Sequence, residues 1–425
     1  MRGASRLTRI ASSLFSTALL MKKIVIFIFA ILLPLGLSAQ KKDIVQIKEF
    51  LKKGTSLDKA QQMTEKLLAD SVLQNDPHIW QLLGESLYQQ YNAANEKLYL
   101  KQKYDTTQFF ALTKRLFNVY ETIDSLAMKD SKRYKAIVKS ANRRAEELHL
   151  LRPNLYNGGI YQIHKQDYAS AYDYFDNYIA CAEQPLFKHY QYFQTDTLLP
   201  RAAYWAVYCG YKSQNPKQAL HHAYMALKDT ANAVSMLQFL AETYKLDNDS
   251  VRYIKTLEEG FQRDPTFPYF FPRLFQHYSQ HEDWDKCWQL IHTAQRVDPV
   301  NPFFAFAKSN IYLNTGRYDD CITLCDSLIH ANDTIARIHL NAGLAYYYKG
   351  VMLEKKLKKT NQEKREILDC YRQARPYLET YRARRPLRSD KWAMPLYIIY
   401  LNLNMGKEFD EIDNLLRFRQ NSQSQ

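Results

Sequence analysis

The sequence predicts an all-α protein, a solenoid of stacked helix–turn–helix pairs, on three observations. Residues 200–335 divide without a gap into four blocks of 34. Small and apolar residues recur at fixed places in each block. No stretch shows sustained apolar/polar alternation or a hairpin turn signature, so about nineteen helices and essentially no sheet are expected.

Composition supports this and excludes several classes. The chain has 425 residues, 46% hydrophobic and 24% charged, which is globular and ample for a real core. It holds only 12 glycines, where average usage would give about 30. Phosphate-cradling loops and sharp strand-to-helix turns consume glycine, which disfavours dinucleotide folds, P-loops and hydrolase elbows.

Taken in order, the elements begin with a leader. Met21-Lys22-Lys23 precedes an uncharged run, Ile24 to Leu37, which ends in Ser38-Ala39-Gln40. A basic start, a short apolar run and a small-residue exit make residues 21–39 a secretory signal peptide, with cleavage expected after Ala39. Residues 1–20 are Arg- and Ser-rich without an acid, and are read as an over-long start rather than an organelle transit peptide. No Cys follows the apolar run, so no lipid anchor is indicated, and the mature chain is expected to carry no transmembrane span. The expected location is the periplasm or outer membrane of a bacterium.

Residues 40–151 form an N-terminal helical region with one repeat-like unit around Trp80, Leu83, Gly84 and Leu87, then longer helices. Residues 152–388 form the array. Its first unit, 152–185, is followed by a 14-residue insertion, Leu186 to Leu199. The gapless blocks are 200–233, 234–267, 268–301 and 302–335. Position 11 of each block holds Gly210, Tyr244, Tyr278 and Tyr312; position 20, where two helices should cross closely, holds Ala219, Tyr253, Cys287 and Cys321. Pro265 and Pro299 share position 32, where proline ends a helix. Asp249, Asp283, Asp319 and Asp320 cluster where second helices should start, and Lys228, Arg263, Arg296 and His330 where they should end, as capping and the helix dipole favour. In 336–388 an insertion of 19 residues lengthens both helices by about nine each, roughly 14 Å of protruding hairpin. Residues 389–425 are capping helices.

These residues resemble the tetratricopeptide repeat family, whose unit is a 34-residue helix–turn–helix. The resemblance implies a right-handed superhelix with a concave groove lined by first helices. Carried over by repeat register, the groove includes Tyr269, Gln276, Phe303, Phe306, Asn310, Asn314, Arg337 and Tyr347. Aromatic anchors beside amides suit an extended or helical peptide, or sugar rings stacked on aromatic faces. Members that clamp chaperone C-termini place Lys and Asn in the groove; here position 5 reads Gln238, Pro272, Phe306 and Leu340, which does not support that role.

Candidate chemistry is sparse. His277 and His281 have i,i+4 spacing, but Tyr278 stands where a zinc protease needs Glu, and no third ligand is evident. The carboxylate pairs sit at helix starts or diverge on a helix surface. No catalytic residue, metal set or cofactor is therefore assigned. Cys287, Cys321 and Cys325 fall at packing positions, while Cys181, Cys209 and Cys370 are left open between packing and pairing.

Charge is unevenly spread. Residues 349–391 carry 14 Lys+Arg against 6 Asp+Glu, whereas 234–335 carry 9 against 14. The hairpin tip with Lys355, Lys356, Lys358 and Lys359 could be a solvated surface or a foot for anionic lipid or polysaccharide. Nucleic acid is not expected, because no aromatic-and-basic recognition module is visible. The sequence thus points to a non-catalytic exported scaffold binding a protein or peptide. A glycan-binding envelope protein is the alternative, weakened by the missing lipid-anchor Cys of sugar-binding relatives.

Overall fold

Every described residue that is not turn or loop is helical, in line with the absence of alternating strands from the sequence. The computed structural model describes residues 40–355 and 358–423. The leader expected over 1–39 and the tip residue Lys356 lie outside the described residues. Contacts divide the chain into two compact units between Asn248 and Asp249, a division that falls inside the expected array.

The first unit contains α1 (residues 40–53), α2 (Leu57–Leu68), α3 (Pro77–Tyr99), α4 (Thr106–Lys129), α5 (Lys135–Lys139), α6 (Ala141–Leu151), α7 (Pro153–His164), α8 (Tyr168–Ala180), α9 (Tyr192–Thr195), α10 (Leu199–Lys212), α11 (Pro216–His221), α12 (Ala223–Ala226) and α13 (Ala233–Leu246). The second contains α14 (Ser250–Arg263), α15 (Phe270–Gln280), α16 (Trp284–Val297), α17 (Pro302–Asn314), α18 (Tyr318–Ala331), α19 (Ala336–Glu354), α20 (Asn361–Arg384), α21 (Ser389–Asn402) and α22 (Gly406–Gln423). The helices outnumber the nineteen anticipated because the second helix of block 200–233 is broken in two and short turns occupy the connections. None of the described helices is long and apolar enough to cross a membrane.

One turn chemistry sets the pairs. At position 15 of each unit a residue takes a positive φ: Gln166, Gln214, Asn248, Glu282 and Gly316. The next residue is the N-cap, and Asp167, Asn215, Asp249 and Asp283 each accept the backbone N–H three residues on. That satisfies one of the unpaired donors of the first turn. The fifth unit departs: Arg317 takes the N-cap place and makes no cap bond, and Asp319 and Asp320 lie in the first turn instead. Of these five, only Gly316 adopts the left-handed conformation without a Cβ penalty.

The core of the first unit is a continuous cluster running from Leu83 through Phe117, Phe175 and Val207 to Leu240. Helix α8 packs on α7 before it and α10 after it, so each pair closes the apolar face its neighbour leaves open. At the α10–α11 crossing, a Cβ on Gly210 would lie 2.4 Å from the Ala219 backbone nitrogen. The Gly/Ala choice at positions 11 and 20 therefore permits backbone contact that Tyr/Cys pairs elsewhere do not.

The insertion after 185 folds back onto this core. Phe187 and Tyr192 are buried, and Arg152 fixes the segment. Its guanidinium lies 3.7 Å from the Tyr178 ring centre and 3.9 Å from that of Tyr192. It bonds Asp196 at 2.6 Å and the Tyr178 carbonyl at 3.0 Å. A buried cation is tolerable here because both a carboxylate and two aromatic faces meet it.

In the second unit, α19 and α20 form the long hairpin, 19 and 24 residues against 14 for α14, α16 and α18. The expected equal lengthening is corrected: α20 takes more of it, since its start is fixed by a capping box in which Thr360 and Glu363 satisfy each other's backbone N–H. The hairpin base is pinned where Arg384 clamps Asp333 at 2.5 and 2.8 Å and His339 bonds the same carboxylate at 2.6 Å. All six cysteines are free thiols. Cys181, Cys209, Cys287, Cys321 and Cys325 are buried, and burial pushes Cys181 and Cys209 up to about 12.

Three outcomes are expected. Gly316→Ala, in open space, costs about 1 kcal/mol from backbone strain alone, read as a lower urea midpoint with an unchanged slope. Gly210→Ala costs more, about 1–3 kcal/mol, because the new methyl meets backbone that cannot rotate away. The Arg384 and His339 bonds hold the Asp333 carboxyl down at about 2 from its usual 3.8. A depressed acid stabilises fully above its unfolded value, and that contribution is lost as pH falls from about 4 to about 2. Denaturation of Asp333→Asn across this range should lack the corresponding part of the acid sensitivity and start from lower stability at pH 7.

Candidate functional site

The second unit carries a groove of about 570 Å³ lined by first helices and by the approach to α21. Its floor follows from helical spacing. Phe271 and Phe275 are i,i+4 on α15, and Phe303 and Phe306 are i,i+3 on α17, so both pairs face one side. The Phe271 ring lies 5.9 Å from Phe275 and 5.8 Å from Phe303, edge-on to the latter. Phe303 is 39% exposed although it packs among other rings, which leaves an aromatic face open to an incoming group.

Amides form one wall. Asn341 donates to Ser309 Oγ at 2.8 Å and to Asn310 Oδ1 at 3.2 Å. Asn310 and Asn314 each donate to a carbonyl one turn back on α17. These bonds fix the amide orientations and use about half of their capacity, leaving further donors and acceptors.

Cations form the rim. Arg337, at the start of α19, is exposed, lies 6.0 Å from the Phe306 ring centre and closes no ion pair among the described residues. Arg388 and Lys391 also line the groove. Asp390 bonds Arg388 at 2.9 and 3.0 Å and lies 3.5 Å from Lys391. Among the described residues no carboxylate lines the groove itself.

Of the residues placed by repeat register, Gln276, Phe303, Phe306, Asn310, Asn314 and Arg337 all line this one groove. Two lie elsewhere. Tyr269 is buried just before α15 with the Arg273 guanidinium 3.6 Å above its ring. Tyr347 packs into the α19–α20 core, 6.1 Å from Tyr371, because the lengthened α20 covers that face of α19. Register reasoning missed Phe271, Phe275 and Trp284, whose spacing matches core residues equally well. It also missed Arg388 and Lys391, which the stacking of α21 brings to the rim from far along the chain.

The basic hairpin is less basic than its composition. Lys349 bonds Asp319 at 2.5 Å, Arg384 clamps Asp333, Arg382 bonds Glu411, and Arg372 bonds Asp369 at 2.6 Å. The tip residues Lys355 and Lys358 are exposed and Lys359 is half-buried. The i,i+4 pair His277 and His281 has ring centres 4.5 Å apart, and His281 bonds the His277 carbonyl rather than a carboxylate.

No family model matches the chain, and no curated protein matches it. Solved structures similar to it are helical-repeat proteins. The human IFIT1 dimer with m7Gppp-AAAA shares 15% identity over 78% of this chain and 72% of that one, at a TM-score of 0.36. A TPR repeats protein from Bacteroides fragilis shares 15% over 62% and 98%, at 0.28. Yeast Tom70 shares 14% over 89% and 91%, at 0.28.

Proposed function

We propose that the protein is a non-catalytic, exported scaffold that holds an extended, acidic segment of a partner protein in the groove between α15, α17 and the starts of α19 and α21. The observation that carries this reading is the pairing of an aromatic floor with a rim of Arg337, Arg388 and Lys391 and no lining carboxylate. An extended chain carries an apolar anchor and a charge on neighbouring residues, and such a groove takes the anchor on Phe303 and Phe306 and the carboxylate on Arg337. The amides of Asn310 and Asn314 stand where peptide backbone groups would run. Export rests on the signal sequence over 21–39, and the exclusion of nucleic acid rests on the sequence alone. The exposed Lys355 and Lys358 offer a second, weaker contact for an anionic surface.

Binding of the tag-free chain to arrayed decapeptides graded in charge and aromatic content tests this. Acidic peptides with one aromatic residue should bind best and weaken with salt, since exposed charge pairs are screened. Arg337→Glu and Phe303→Ala, both at exposed positions, should each lower affinity about tenfold or more while circular dichroism stays unchanged. Peptide binding indifferent to both substitutions would remove the groove from consideration. Binding to a glycan array with the same sensitivity to Phe303→Ala, and none to peptides, would favour the sugar-binding alternative.

A further inference from the structure

The second helices of blocks 234–267, 268–301 and 302–335 are unbroken runs of 14 residues, α14, α16 and α18. The equivalent helix of block 200–233 stops at His221 and resumes at Ala223, with His222 between at φ −105° and ψ 13°. On an intact helix, adjacent side chains point about 100° apart and cannot share a target. The break removes that restriction. The rings of His221 and His222 lie 4.3 Å apart, and both Nε2 atoms face one carboxylate oxygen, Asp176 Oδ1 on α8, at 3.9 and 2.7 Å.

We infer that Asp176, His221 and His222 form a binding site for a divalent transition-metal ion of the zinc type, created by the interruption between α11 and α12. The three donor atoms all lie within 4.8 Å of one another. Zinc takes imidazole nitrogen and carboxylate oxygen at about 2.0–2.2 Å, so donors at the corners of a tetrahedron stand about 3.3 Å apart. The two measured separations, 2.7 and 3.9 Å, bracket that value.

One further feature fits metal binding better than a plain ion pair. The His221 side chain is 63% exposed, and an exposed imidazole has no packing reason to turn toward an acid already bonded to His222. Two imidazoles and one carboxylate leave a fourth position facing solvent, open to water or to a donor from a bound partner. The set suits zinc, nickel or copper and lacks the oxygen cage that calcium or magnesium needs. This site lies in the first unit and is independent of the proposed peptide groove in the second.

Isothermal titration of the tag-free, chelator-treated chain with zinc chloride provides the test, with the visible absorption of bound cobalt as a second readout. One ion should bind per chain. His221→Ala, at an exposed position that folding does not need, should abolish saturable binding and the cobalt spectrum. His277→Ala, which removes the other histidine pair, should leave it unchanged. Absence of saturable zinc binding, or binding that survives His221→Ala or depends on His277, would overturn the assignment.

Discussion

A single helix–turn–helix pair of this chain has an apolar face it cannot cover by itself, and the rest of the structure follows from that constraint. In the first unit the buried cluster runs without interruption from Leu83 to Leu240 because every pair supplies the missing wall of the one before it. A fully buried leucine or phenylalanine contributes about 1.5–3 kcal/mol, so the stack gains stability pair by pair. It leaves the outward faces of the helices free of packing duty. The groove of the second unit uses that freedom: Phe303 remains partly open while Phe304, next to it, is buried.

Repetition of one turn gives the stack its regularity, and interruption of the pattern gives it its chemistry. The left-handed residue followed by an N-cap recurs from Gln166-Asp167 to Glu282-Asp283 with little dependence on which polar residue fills the first place. Within an unbroken helix adjacent side chains diverge. Where the helix breaks, at His222, two imidazoles meet a carboxylate. The insertion after 185 is a second departure, and Arg152, stacked between Tyr178 and Tyr192, ties it down.

Charge behaves in the same way. The excess of cations in 349–391 suggests a basic surface, yet much of it is neutralised by acids that stacking brings alongside: Asp319 to Lys349, Asp333 to Arg384 and Glu411 to Arg382. In the first unit, likewise, Arg144 is paired with Asp124 and Arg152 with Asp196. Cations that keep reach toward solvent are therefore fewer than composition implies, and Arg337 at the groove rim stands out among them.

The helical class, the 34-residue period, the caps at Asp249 and Asp283 and the register of Gln276, Phe303, Phe306, Asn310, Asn314 and Arg337 were all legible along the chain. Each depends on neighbours within one or two turns or on a fixed repeat length, and such local relations are written in residue order. The burial of Tyr269 and the packing of Tyr347 against the α19–α20 core were not legible, because core and groove aromatics share one helical spacing. Nor was the arrival of Arg388 and Lys391 beside α17, or the meeting of Asp176 with His221 and His222 across 46 positions. The sequence by itself determined which helices form and how they repeat. Only the tertiary structure decided which side chains share a site, since distant residues converge through the stacking of pairs and the places where a helix breaks.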